Sequence, residues 1–365
     1  MYGAPAPRVT AHVRRRYPVP VHFYLADWVN DINPFVWRIS GDFGIRWYGA
    51  AYIAGFLCAW LIMRWLSKRG ACLIPRERLP DAMLAIMLGV LIGGRLGYIL
   101  IYQPSLLWDF TATAPWWGVL AINKGGMASH GGMAGLVFAA WWIARSCRAP
   151  TLHVLDIMTL TAPVGLFFGR IANFVNGELL GRIVAAPGEP GPWWSVRYPQ
   201  ELLTDHRPAL TPEQAMELRR LLATVAPRDY TESPRVATET LIRRIQLGAT
   251  NLRDDLAPLL AARHPSQLYQ AFAEGIVLFI ALWLIWMKPR RPGVVGAWFL
   301  MLYGVMRIAT EHFRLPDDHL TSPLILGLSR GQWLSALMIG AGALVLAIVL
   351  RREDSEPVGG WLKRR

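Results

Sequence analysis

Charge is scarce in this chain, and cysteine scarcer still. Asp, Glu, Lys and Arg make up 17% of its residues against 53% that are hydrophobic, more apolar matter than one soluble core needs, which points to a membrane protein. The three cysteines, Cys58, Cys72 and Cys147, form no CxxC pair, so neither a disulfide framework nor a zinc site is expected. His and acidic residues also lack ligand spacing, so no metal or other cofactor is implied. Acids are outnumbered, 25 against 38 bases. No nucleic-acid motif accompanies that surplus, which fits the Lys and Arg of cytoplasmic loops better than a nucleic-acid partner. An internal repeat is missing too. Ahead of residue 47 no short apolar segment ends in a small-residue cleavage site, so the first span is expected to act as its own insertion signal.

Long apolar runs are what the chain does have. A helix needs about 20 mainly apolar residues to cross a bilayer. Stretches 47–66, 81–102, 127–146, 152–174, 264–287, 293–312 and 331–350 qualify, the fourth being the weakest because it carries Asp156 and Pro163. Basic residues gather between spans one and two (Arg64, Lys68, Arg69, Arg76, Arg78), three and four (Arg145, Arg148), and five and six (Lys288, Arg290, Arg291), which assigns those loops to the cytoplasm. The opposite loop, 103–126, has only Lys124. The N-terminus is then outside and the C-terminus inside, although Arg14, Arg15 and Arg16 pull mildly the other way.

The expected fold is an all-α polytopic membrane protein with seven transmembrane helices and an enlarged, mostly helical external head. Its divisions are an external or interfacial segment 1–46, spans one to four in 47–182, the head in 183–263, spans five to seven in 264–350, and a basic cytoplasmic tail 351–365. The head carries ten acids and ten bases, a soluble composition between membrane segments. Thr211, Pro212 and Gln214 there form a helix-start signature with a capping box, and Gly248 closes a second helical run.

Charged side chains inside a bilayer normally face protein or a wet cavity. Here they crowd one leaflet: Arg95 in span two, His130 at the entry of span three, Arg170 at the end of span four, Glu274 in span five, and Arg307 and Glu311 in span six. Tyr303, Arg307, Glu311 and Arg314 follow one another at spacings of four, four and three, on one helical face. Each admits a plainer reading. Glu311 can staple helices by pairing with Arg307 or Arg314, and Arg95 can pack against Glu274 as readily as touch a ligand. Arg170, Asn173, Asn176 and Glu178 can form a polar helix cap, and the glycines of "KGGMASHGGMAG" can serve close packing. The coincidence favours a site: several arginines at one depth, short of carboxylates, beside glycine-rich backbone. Arginine forks suit phosphate.

Six stretches carry a resemblance. "NKGGMASHGGMAG", "GRIANFVNGELLGR", "RHPSQLYQ" and "LYGVMRIATEHFRLPD", preceded by "IRWYG" and "GGRLGY", closely resemble the bacterial prolipoprotein diacylglyceryl transferase family over about residues 40–350. The resemblance implies a seven-helix plasma-membrane (inner-membrane) enzyme. It would move the diacylglyceryl group of phosphatidylglycerol onto the thiol of the lipobox cysteine of a prolipoprotein, leaving a thioether and releasing glycerol 1-phosphate. It also implies site residues: Arg170 and Arg307 as the two essential arginines, His130 as the functional histidine, Tyr48 and Tyr303, Asn173 and Gly181 of the signature, and Glu311 and Arg314. Arg95 and Glu274 join them as candidate substrate contacts from their place in the spans. The external segment between the signature and "HPSQLY" is longer than is common in the family.

On this expectation Arg170 and Arg307 hold the ester phosphate and take up charge as the C–O bond breaks. His130 either deprotonates the incoming thiol or binds the lipid glycerol. The nucleophile belongs to the substrate, so the enzyme's own cysteines are dispensable. Two other classes compete. A phospholipid or anion transporter would show inverted-repeat symmetry and polar groups through to the cytoplasmic side; a noncatalytic anchor for the head would not need six motif stretches elsewhere.

Overall fold

The computed structural model describes residues 28–40, 43–122, 125–315 and 328–362. Arg14, Arg15, Arg16, Asn123, Lys124 and the Pro316–Asp317 end of the last motif lie outside the described residues, as does most of the 1–46 segment.

The chain enters through three short strands, β1 (Trp28–Val29), β2 (Phe35–Ser40) and β3 (Phe43–Arg46), the last two forming an antiparallel hairpin. Long helices follow: α1 (Trp47–Lys68), α2 (Leu79–Ile101), α3 (Ser129–Cys147) and α4 (Thr151–Asn176). Beyond the inserted region the apolar segment Ser266–Ile285 runs as α9 (Ser266–Gln270), a π-helical turn (Ala271–Val277) and α10 (Leu278–Ile285). Two further long helices, α11 (Val294–Glu311) and α12 (Arg330–Arg351), complete the bundle. Their buried faces share one apolar core that includes Met63, Leu66, Ile143, Ile157, Leu160, Leu278, Leu282 and Trp286.

Six of these segments are long and apolar enough to cross a membrane, which makes the chain a mostly helical, multi-pass membrane protein. The weak one is α3 and not α4. Glycine, serine, histidine and tryptophan dilute the hydropathy of α3, whereas Thr151–Asn176 passes with a mean of 1.5. Asp156 costs α4 little because its carboxylate is answered: it accepts the Gly293 and Gly296 amides, each at 2.7 Å, and so caps the N-terminus of α11 from a neighbouring helix.

The glycines of α2 and α3 are packing residues. A Cβ on Gly97 would stand 2.6 Å from the Gly131 Cα, and one on Gly89 would stand 2.6 Å from the Gly135 carbonyl oxygen, so the two backbones touch where side chains would separate them. At the opposite end from the signature the tail is docked. Trp361 Nε1 donates to the Trp283 carbonyl at 2.8 Å, Val358 bridges to Arg290, and Arg69 reaches the Trp361 carbonyl at 3.2 Å.

Residues between α4 and α9 form a small sheet and four helices. Strands β4 (Ile183–Ala185), β5 (Val196–Arg197) and β6 (Ala262–Arg263) join β1 in the order β1-β5-β6-β4. The helices are α5 (Pro212–Val225), α6 (Pro227–Glu232), α7 (Pro234–Gln246) and α8 (Thr250–Leu256). Leu221, Leu222, Leu241, Ile245, Leu256 and Leu260 make their own buried cluster, and Val29 from the N-terminal strand joins it. The capping box at Thr211 and Gln214 forms as its sequence indicates.

Candidate active site

α4 ends where its sequence turns polar. Gly177, at φ 65°, adopts the left-handed conformation that closes a helix, and the Glu178 amide returns to the Asn173 carbonyl at 3.0 Å. After a bend at Leu179, at φ 56°, the chain is zipped on both sides. Arg182 donates to Phe313 O and Leu315 to Leu180 O, each at 3.0 Å, while the His264 amide donates to Arg182 O at 3.0 Å. Gly181 pairs with Arg314 as an isolated bridge, and a Cβ there would lie 2.9 Å from the His264 carbonyl carbon. Gly181 therefore lets three backbone segments meet.

Around this zipper the helix ends bring side chains together. Arg170 donates through Nε and Nη2 to one Glu274 oxygen at 3.2 and 3.0 Å, with the Glu274 side chain wholly buried in the π-helical turn. Glu274 also accepts from Thr310 Oγ1 at 3.4 Å. Tyr303, one turn before Arg307, lies within electrostatic reach of Arg170, Glu274 and Arg307 together. Arg307 and Glu311 stand 2.9 Å apart, close enough for an ion pair, but at an angle outside hydrogen-bond geometry. The Glu311 carboxylate also faces the first turn of α12 at Gly331, where helix amides favour an anion.

From α1, the Tyr48 hydroxyl donates to Glu178 Oε2 at 2.6 Å and meets the Asn173 side-chain amide, with Arg170 in electrostatic reach. One phenol has one proton. Given to Glu178, it requires Asn173 to present its NH₂ to the phenol oxygen. Tyr48, Arg170, Asn173, Glu274, Tyr303, Arg307 and Glu311 thus converge from α1, α4, the π-helical turn and α11. Arg314 is buried beside them, paired through its backbone to Gly181.

Two of the expected residues behave differently. Of the two readings left open for Arg95, packing against Glu274 is not found, because the Glu274 carboxylate is taken by Arg170. Arg95 donates instead to the carbonyls of Val119 (2.8 Å), Gly125 (2.7 Å), Gly126 (2.9 Å) and Gly118 (2.5 Å), clamping the loop between α2 and α3. Four of the five guanidinium donors are thus given to main-chain carbonyls. His130 is exposed at the first turn of α3, and none of the hydrogen bonds or ion pairs described above reaches it.

Sequence reasoning missed several supports. Arg263, inside "RHPSQLYQ", is fully buried and joins Glu201 (2.6 Å), Gly181 O (3.1 Å) and His206 O (3.0 Å). Burial pushes the Glu201 carboxyl upward while Arg263 pulls it back. Asn30 donates to Phe174 O at 2.6 Å, tying the N-terminal strand to the end of α4. The one available signal for Arg263 was its place beside a motif; Asn30 carried none.

Comparison with known proteins agrees with this picture. A family model described as "Prolipoprotein diacylglyceryl transferase" matches residues 34–348. A Bdellovibrio bacteriovorus protein named "Phosphatidylglycerol--prolipoprotein diacylglyceryl transferase" is 43% identical, covering 91% of this chain and 97% of that one. Proteins of the same name from Polaromonas naphthalenivorans and Neisseria gonorrhoeae are 35% and 36% identical, covering 86% and 83% of this chain and 93% and 90% of theirs.

Proposed function

Since the chain belongs to the prolipoprotein diacylglyceryl transferase family, we propose that it transfers the diacylglyceryl group of phosphatidylglycerol to the lipobox cysteine of prolipoproteins, with Arg170 and Arg307 as its phosphate-binding pair. The thiolate attacks the glycerol carbon bearing the phosphate ester. The C–S bond forms as the C–O bond breaks, and glycerol 1-phosphate departs with the electron pair. The observation that carries this reading is that Arg170 and Arg307, from two helices, both lie within electrostatic reach of one tyrosine, Tyr303. In a site of low dielectric such forks stabilise the charge that builds on a departing phosphate.

We read the molecule as seven spans, α3 included, in a bacterial inner membrane, with the N-terminus outside and the C-terminus cytoplasmic. Residues 183–263 form the external head, and the tail docks on the cytoplasmic side. Two observations support this: all the basic loops named above fall at the tail's end of the bundle, and the arginine cluster falls at the other. Tyr48, Asn173, Tyr303, Glu311 and Arg314 line or brace the lipid site, and Glu274 holds Arg170 in place. Cys72 is buried, with its thiol pushed up to about 11, which suits a packing residue and leaves the nucleophile to the substrate. A transporter finds no support in a polar cluster confined to one end.

Incubating the purified protein with phosphatidylglycerol and a lipobox peptide should give a diacylglyceryl mass gain on the cysteine, and Arg307→Ala should lose about 10²-fold in rate. A wild-type protein that leaves the peptide unmodified would sink the reading. His130 is exposed at the first turn of α3, and we assign it the base for the incoming thiol. Activity lost in His130→Gln should return at alkaline pH; a loss of equal size at every pH makes it a lipid-binding group.

A further inference from the structure

Span five carries three buried polar side chains at successive turns, Gln267, Gln270 and Glu274. The first and third are fully engaged. Gln267 donates to the Glu178 carbonyl at 2.5 Å and accepts from Tyr198 at 3.2 Å, and Glu274 accepts from Arg170 and Thr310. Between them Gln270 is 0% exposed, and neither its amide nitrogen nor its amide oxygen has a hydrogen-bond partner. Burying an amide unbonded costs its full desolvation, and a leucine or methionine would fill the same space without that cost. Helix α9 packs against both α4 and α11, and on α11 the buried Arg307 Nη1 and Glu311 Oε2 meet as an ion pair at 2.9 Å without hydrogen-bond geometry.

We infer that Gln270 is a further substrate-binding residue, its amide held for the hydroxyl groups of the phospholipid's glycerol headgroup. Phosphate is matched by the guanidinium of Arg170, held by Glu274 one turn further along the same segment. A neutral amide offers a donor and an acceptor on one plane, which is what an uncharged alcohol answers in full. An anion would leave the amide oxygen unanswered, and an acyl chain would answer neither atom. The inference rests on the phosphatidylglycerol reading above and adds to it the group by which that headgroup is distinguished.

The test compares phosphatidylglycerol with phosphatidylmethanol, which keeps the phosphodiester and the acyl chains and lacks the hydroxyls. Both are measured by relative kcat/KM in the peptide assay, and phosphatidylmethanol also as a competing inhibitor. Gln270→Leu and Gln270→Met, two packings of similar volume, guard against a variant that fails to fold. Each should lose about tenfold in kcat/KM on phosphatidylglycerol and leave phosphatidylmethanol within about twofold of wild type. An equal loss on both lipids, no loss on either, or a wild type blind to the missing hydroxyls would overturn the inference. A wild type that transfers from neither lipid would instead fail the functional reading.

Discussion

Two buried arginine–carboxylate pairs brace the signature, one at Arg170 within it and one at Arg263, which bonds to the Gly181 carbonyl, and they are built differently. Arg263, in the sheet, pairs with Glu201 and gives its remaining donors to the Gly181 and His206 carbonyls. Arg170, in the bundle, takes side chains as partners, Glu274 and Tyr303, each from another helix. Arg95 belongs with Arg263, since four main-chain carbonyls hold it, and Arg307 belongs with Arg170. Main-chain carbonyls cannot leave, so an arginine bound by them is a strut. Side-chain partners can swing aside, and an arginine bound by those can exchange a carboxylate for an incoming phosphate at modest cost.

The largest effect should come from the strut. Arg263→Met strands Glu201 as an uncompensated buried charge and should cost about 3–5 kcal/mol, read as a fall in thermal midpoint in detergent, with Glu201→Leu in the same chain restoring most of it. If Arg263→Met kept its midpoint but lost transfer, the division drawn here would be wrong. Next comes Arg170→Lys, which keeps a cation beside Glu274 and removes the fork. It should lose about 10²-fold in rate while unfolding within a few degrees of wild type. A large drop in midpoint with normal turnover would move Arg170 into the strut class.

How much of this could be read from residues alone divides along the same line. Periodicity and apolar length placed the helices, because a bilayer-spanning helix is a local, one-dimensional pattern. The polar stripe of Tyr303, Arg307 and Glu311 was legible for the same reason. Three features were not. The Arg95 clamp left no mark because main-chain carbonyls are present everywhere in a sequence, so a loop clamp looks like a free charge. The π-helical turn at Glu274 inserts a residue into a pattern read with a period of 3.6, and only tertiary packing against Phe167 through Gly275 reveals it. Val29 and Asn30 join regions that a linear division at 183 keeps apart.

The smallest expected effect sharpens the comparison at the seam between the two regions. His264 follows Arg263, stacks on Trp194 at 4.9 Å between ring centres, and meets Tyr269 and Phe313 edge-on. Burial, and behind it the charge of Arg182, hold its imidazole below the ordinary value of 6.5. The folded protein then binds fewer protons at this site than the unfolded chain. The stability it contributes is complete above about 6.5 and is lost as pH falls below that value towards the lowered one. His264→Phe keeps the stacked ring without the titration. The difference in thermal midpoint between wild type and this variant should therefore shift slightly against wild type between pH 7 and pH 5. A difference that stays constant with pH would mean that the zipper around Gly181 does not sense this histidine's charge, leaving the strut region as insensitive to protons as its main-chain bonding implies.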